Sequence, residues 1–331
     1  MHFSNLNKVV LTASLLATGF SYADSDRPLL SLSVSQSGGT ALNSEGSLDT
    51  RTPASQSRVL PIWGDEARAR GYDLPEPFGA SYSYMNLRQD IIVDKIGFDA
   101  SEWDAMSEVV KVDVGHTREK SETHMLKLDS WVFPFMNVYG LYGYTKGTSK
   151  TVLNDVSIDF GFPVSLAKDE MFELDFKGKT YGAGFTLAGG YNQFFGTFDL
   201  NYTKTDLDIL DGDIKALVIS PRVGYEFVFS PLVSGQGNTK LQVWTGAMYQ
   251  DITQRFRGDV NKLNLPGKLN DFLSGDLDGI GNIKFDVEQH LAHKWNQTVG
   301  ARLEVTRNFN VITELGFNNR NSFFVSGEFR F

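Results

Sequence analysis

The chain has 331 residues, 31 Lys and Arg against 40 Asp and Glu, a net charge of −9, and no cysteine. Without cysteine there is no disulfide framework, thiolate nucleophile, iron–sulfur centre or thiolate zinc site. The acidic balance argues against nucleic acid as a partner, since such a surface displaces phosphate counterions with Lys and Arg.

Composition also points to shape. With 25 Phe, 12 Tyr and 32 Gly but only 10 Pro, the chain suits many strands. Residues 1–23 read as a cleavable signal peptide, with Lys8, an apolar stretch from Val9 to Phe20, and Ser21-Tyr22-Ala23 as the cleavage triplet. The apolar stretch, about 12 residues, is short of the ~20 a spanning helix needs. No later run reaches ~18 apolar residues, so a membrane-spanning role would have to fall to strands. Residues 24–78 form a second unit. Gln36–Ser57 is rich in Ser, Gly, Thr and Asn, and Gly64–Gly71 suits a turn or two of helix. This unit reads either as a periplasmic tail or as a plug.

From residue 79 onward the pattern has period two. Strands are expected at 79–95, 108–118, 122–132, 136–146, 179–190, 194–204, 216–229, 240–252, 296–306, 309–318 and 321–331. In the last, Phe323, Val325, Gly327, Phe329 and Phe331 share one face, opposed to Ser322, Phe324, Ser326, Glu328 and Arg330. Runs of about ten alternating residues match a tilted membrane-crossing strand, and aromatics at strand ends match two interfacial girdles. A soluble sandwich would also alternate, with shorter strands of ~5–6 residues.

These features resemble Gram-negative outer-membrane β-barrel proteins. In that class a last strand ending in Phe, with apolar residues at every second position, is the signal read by the barrel-assembly machinery. Phe323, Val325, Phe329 and Phe331 match it, with Gly327 as the gap. The resemblance implies an all-β, closed antiparallel transmembrane barrel over 79–331. It also implies contact with outer-membrane lipid and lipopolysaccharide, and a location in the cell outer membrane.

Such barrels have even strand numbers, so the eleven strands imply about twelve, with ten or fourteen as alternatives. A further strand at Arg27–Ser35 would supply the twelfth. Short turns at Phe133–Asn137, Tyr191–Phe194 and Thr306–Phe309 face the periplasm, and 147–178, 206–213 and 252–295 form outer loops. Pro221, inside a strand, predicts a bulge.

The phasing turns Lys111, Asp113, Lys127, Asp129, Asp199, Arg222, Glu226, Arg302, Glu304, Glu314, Glu328 and Arg330 into the lumen. Charges facing lipid would cost ~2–4 kcal/mol each at mid-depth. The inward set is either a selectivity wall or an ion-paired filling. The leading expectation is a porin-like channel or uptake protein for a small polar solute, with no catalytic site, cofactor or metal. A closed barrel for surface interaction is the alternative.

A lipid-modifying enzyme is the third reading, since His116 and His124 fall near Glu119, Ser121 and Glu122, expected on a turn. Glu288, His290 and His293 sit on an expected short helix, 287–295. The acidic strings at 206–213 and 276–279 lack calcium-loop spacing.

Overall fold

The computed structural model describes residues 59–69, 72, 74–100, 110–159, 163–208, 211–233, 238–259 and 283–331. The expected signal peptide, the strand at Arg27–Ser35 and the acidic string at 276–279 lie outside these. A short helix, α1 (Gly64–Ala69), precedes eleven strands. They are β1 (Phe78–Ala100), β2 (Val110–Phe133), β3 (Met136–Asp159), β4 (Pro163–Tyr191), β5 (Phe194–Leu207) and β6 (Asp211–Phe229). β7 (Thr239–Asp259), β8 (Ile283–Leu291), β9 (Trp295–Glu304), β10 (Phe309–Phe317) and β11 (Arg320–Arg330) complete the set.

All strands pair antiparallel in one sheet that closes on itself. Ten strands, β1 to β7 followed by β9, β10 and β11, form a ring completed by β11 against β1, from Gly79↔Arg330 to Gln89↔Arg320. Above Gln89 the wall changes partners. β8 pairs with the upper half of β1, starting at Ile91↔Leu291, and with the upper half of β7 at Thr253↔His290. The barrel therefore has ten strands at the short-turn end and eight in the collar at the opposite end. The β10–β11 hairpin stops at mid-height. Asn318 makes its turn at φ 88°, a conformation Asn tolerates better than most residues. Asn319 and Asn296 bond this hairpin tip to Trp295 and Arg320, sealing the step between ten strands and eight.

Among the described residues there are eleven strands, ten of which form the closed wall; the expected first strand, Arg27–Ser35, lies outside them. Two expected strands, 108–118 and 122–132, are one strand, β2. Glu119 and Ser121, expected in a turn, are buried and face inward. β8 occupies residues expected as loop and helix. The described parts of segments 147–178 and 252–295, expected as outer loops, are the upper halves of β3, β4 and β7 together with β8 and the start of β9. At Pro221 no bulge forms. Pairing with β7 lapses between Ile219↔Tyr249 and Arg222↔Gly246, and the register is the same on both sides.

On the ten-strand wall the outward face is apolar, with Leu128 at 59% and Val223 at 63% exposed. Two aromatic rows bound this band. Phe78, Phe194, Phe227, Phe309 and Phe329 lie at the short-turn end, and Tyr142, Tyr181, Tyr202 and Trp295 lie opposite. From Phe194 to Tyr202 is nine residues, and from Tyr181 to Tyr191 eleven. Beyond the second row the outer face turns charged, as at Lys150 paired with Glu173 at 2.9 Å.

Residues 59–69 and 74–77 lie across the short-turn end. Ile62 donates its N–H to Val132, Trp63 stacks near Phe133 and Phe135, and Glu76 pairs with Arg307 at 2.8 Å. Tyr72, Leu74 and Pro77 are buried.

Candidate functional site

The lumen is layered. Nearest the short-turn end lies an ionic floor. Glu328 accepts from Arg302 and Arg330 at 3.1 and 3.2 Å and lies 3.6 Å from Lys127. Arg330 also reaches Asp129 at 3.0 Å, and Asn137 donates to the same Asp129 oxygen at 2.6 Å. Across the floor, Lys240 lies 3.9 Å from Glu304, and Gln242 donates to Glu226 at 2.7 Å. One layer up, Arg222 grips Glu314 with two bonds, at 2.6 and 3.0 Å, while the Trp244 indole donates to the same carboxylate at 2.7 Å. Asp199 accepts from Tyr139 and Thr186 at 2.8 and 2.6 Å. Each inward carboxylate here has a donor within reach, so little of this charge is left for a passing ion.

Above the floor the lining becomes apolar. Met85, Met125, Leu141, Val218, Met248, Ile312 and Phe324 line a cavity of about 440 Å³. That is the size range of small-molecule sites. Its ceiling is a polar layer in which Gln89 and Gln254 donate to Glu119 at 3.1 and 2.6 Å. A hydroxyl chain, Thr123–Thr145–Thr180–Thr205, runs across one side with spacings of 3.1, 2.7 and 2.7 Å.

The eight-strand collar beyond is filled by Leu153, Val156, Leu174, Phe176, Ile214, Ile252, Phe256, Phe285 and Leu291. Strand number explains the contrast. Eight strands leave a bore that side chains can fill, and ten leave room for a chamber.

Of the twelve charges expected in the lumen, Lys127, Asp199, Arg222, Arg302, Glu314, Glu328 and Arg330 line the chamber. Asp129, Glu226 and Glu304 are buried in the floor. Lys111 and Asp113 are exposed on the outer face of the collar. The β2–β3 register shifts between Asp113 and Thr117, and this irregularity reverses the phase carried up from the wall. Val112 packs on the collar core instead.

Sequence reasoning missed Lys240, Trp244, Glu119 and the apolar waist. Lys240 was within reach, because Leu241 and Val243 alternate with it. The three Met and Phe324 have inward phases too, but they read as ordinary strand apolar residues.

The histidines lie apart from one another. His124 is on the outer face at the second aromatic row, its Nδ1 2.7 Å from the Tyr82 hydroxyl. His116 lies 3.3 Å from Asp90, which also pairs with Arg118. His290, on strand β8 and not on a helix, meets Asp94 at 2.6 Å, while Glu288 pairs with Arg255. Ser121 faces inward and His124 outward, so the two do not form a nucleophile–base pair.

No family model matches the chain, and no curated protein does. Among solved structures it is similar to the outer membrane protein OprG from Pseudomonas aeruginosa, with 13% identity, a TM-score of 0.35, and coverage of 78% of this chain and 98% of that one. The transport unit of the autotransporter AIDA-I from Escherichia coli gives 10% identity, a TM-score of 0.34, and coverage of 77% and 90%. The toluene transporter TbuX from Ralstonia pickettii gives 10% identity, a TM-score of 0.28, and coverage of 78% and 90%. The closed barrel itself is read from the chain's own ring of strand pairs.

Proposed function

We propose that this chain spans the outer membrane as a β-barrel and takes up a small amphipathic solute through its lumenal chamber, with the collar closing the lumen to ions. The membrane part of the reading is supported by the apolar band. Its nine to eleven residues between aromatic rows match the length a tilted strand needs to cross a bilayer.

The uptake part rests on one observation, the cavity of about 440 Å³ with its apolar waist between two polar layers. A solute with an apolar body would bury it against Met85, Met125, Met248 and Phe324 and direct polar groups to the hydroxyls above or the floor below. A freely hydrated ion would find an apolar waist and, beyond it, the apolar filling of the collar. The solute is accordingly less polar than the inward charges alone suggest.

Two measurements test the reading. In planar bilayers the refolded protein should give no large, steady conductance steps; if it does, the lumen is open and the closed reading fails. Short aliphatic carboxylates, aliphatic alcohols and indole, titrated one at a time, should raise the unfolding temperature of the folded barrel for at least one class. A ligand at a hundred times its Kd adds about 2.7 kcal/mol. A silent barrel that none of these stabilises would favour a second reading, supported by the filled collar: a rigid stalk that holds its outer loops above the membrane for surface contacts.

A further inference from the structure

The ionic floor presents its cations to the chamber and hides most of its acids. As a whole it is balanced, with Lys127, Lys240, Arg302 and Arg330 against Asp129, Glu226, Glu304 and Glu328. The chamber meets a different set. Lys127, Arg302 and Arg330 line it with Glu328, whereas Asp129, Glu226, Glu304 and Lys240 are buried outside its lining. Higher in the cavity the charges are closed. Arg222 grips Glu314, Asp199 is held by Tyr139 and Thr186, and Glu119 by two glutamines. The positive surplus therefore sits at one end, directly below the apolar waist.

Two of these cations have donors to spare. Lys127 stands 3.5 Å from Asp129 and 3.6 Å from Glu328, beyond a good hydrogen bond, with its ammonium 5.4 Å from the Tyr139 ring centre. Arg302 gives one bond of 3.1 Å to Glu328, and its buried Nε meets no acceptor among the described residues. Asp129 Oδ1 and Glu226 Oε1 also lack a hydrogen bond, but neither residue lines the chamber. A buried donor without an acceptor is costly, so an incoming acceptor gains more here than on a satisfied surface.

From this placement we infer that the chamber's solute is a monocarboxylate, its carboxylate received by Lys127 and Arg302 and its apolar body lying along Met125, Met85 and Phe324. The inference rests on the uptake reading above and gives that solute a charge. Glu328 already meets both cations, one at each of its oxygens, so their spacing suits a second carboxylate. On β2 the next lining residue above Lys127 is Met125, which makes head and body contiguous. A second charged group on the solute would fall in the apolar waist.

The test uses the full chain refolded into phosphatidylcholine nanodiscs, with empty nanodiscs as the blank. Hexanoate, hexanol and hexylamine, matched in length, are titrated by calorimetry at neutral pH. Hexanoate should bind about tenfold more tightly than hexanol, with hexylamine weakest. Lys127→Gln and Arg302→Gln should each cut hexanoate affinity about tenfold and leave hexanol binding unchanged. A heat-modifiable gel shift shows that each variant is folded. Should one not fold, the order of the three probes on the wild type still decides.

If none of the probes binds, the uptake chamber fails and this inference with it. If hexanol binds as tightly as hexanoate, the chamber stands and the carboxylate assignment is overturned. Hexylamine binding best would overturn it too, in favour of the acids. Hexanoate affinity unchanged in both variants would place the carboxylate elsewhere. Acetate matching hexanoate would make the floor a site for small anions that has no use for the waist.

Discussion

The two halves of the barrel invert one another. In the ten-strand wall, apolar side chains such as Leu128 and Val223 face out and ionic clusters face in. In the eight-strand collar, Phe256 and Val156 are fully buried inside while Lys150 and Glu173 pair outside. The same strands run through both halves, so strand-forming propensity does not distinguish them. The surrounding solvent does: lipid rewards apolar exteriors, and water rewards apolar interiors. A residue's proper chemistry here depends on its height along the strand as much as on its phase.

The largest effect should come from the wall's interior. Glu328→Ala leaves Arg302, Arg330 and Lys127 gathered without their shared carboxylate, and should cost about 3–5 kcal/mol. Urea unfolding of the refolded barrel in lipid, followed by gel shift, would read this. An unchanged midpoint would show that the floor is hydrated.

Phe256→Ala, in the collar, should also cost about 3–5 kcal/mol through its cavity. Bilayer recording should then show transient conductance that the wild type lacks. Next come the two exteriors. Leu128→Arg, on the band, should lose ~2–4 kcal/mol, whereas Lys150→Leu on the collar should stay within about 0.5 kcal/mol. Equal costs at the two sites would erase the inversion.

Thr180→Val interrupts the hydroxyl chain and should cost about 1 kcal/mol, measurable as a modest shift in the same urea curve.

The smallest effect concerns acid. The Lys146 ammonium hydrogen-bonds to Glu122 and holds its carboxyl below the usual range. Stability from this pair is present above the unfolded carboxyl value and is lost as pH falls through the lower folded value. A wild-type advantage over Glu122→Gln at neutral pH should therefore vanish in strong acid.

Much of the wall was legible because its strands obey one simple rule for their whole crossing length. From Ser322 to Phe331 a single alternation sets both faces, and most inward charges follow from phase alone. The collar was harder to read. Its interior alternates as the wall does but with the polarity reversed, so Glu119, Lys120 and Ser121, at the level where the code changes, read as a turn between two strands. β8 was missed for the same reason. Phe285, Val287 and Leu291 face inward, and only the neighbours they meet reveal that inside has become the apolar side. The phase of Lys111 and Asp113 was lost at an irregularity that leaves no strong mark in the residues around it. The chamber has no local signature either, because its waist is assembled from seven different strands.

The partner change along β1 also bears on assembly. Its lower half is the seam with β11, and its upper half is the seam with β8, from Ile91↔Leu291 upward. Both joints link segments far apart in the chain, and such contacts carry a large loop-closure cost. One strand serves both, so the register at which β1 meets β11 also fixes where Ile91 stands relative to Leu291. The wall's closure thus sets the collar's register, and a slip in the first joint would be inherited by the second.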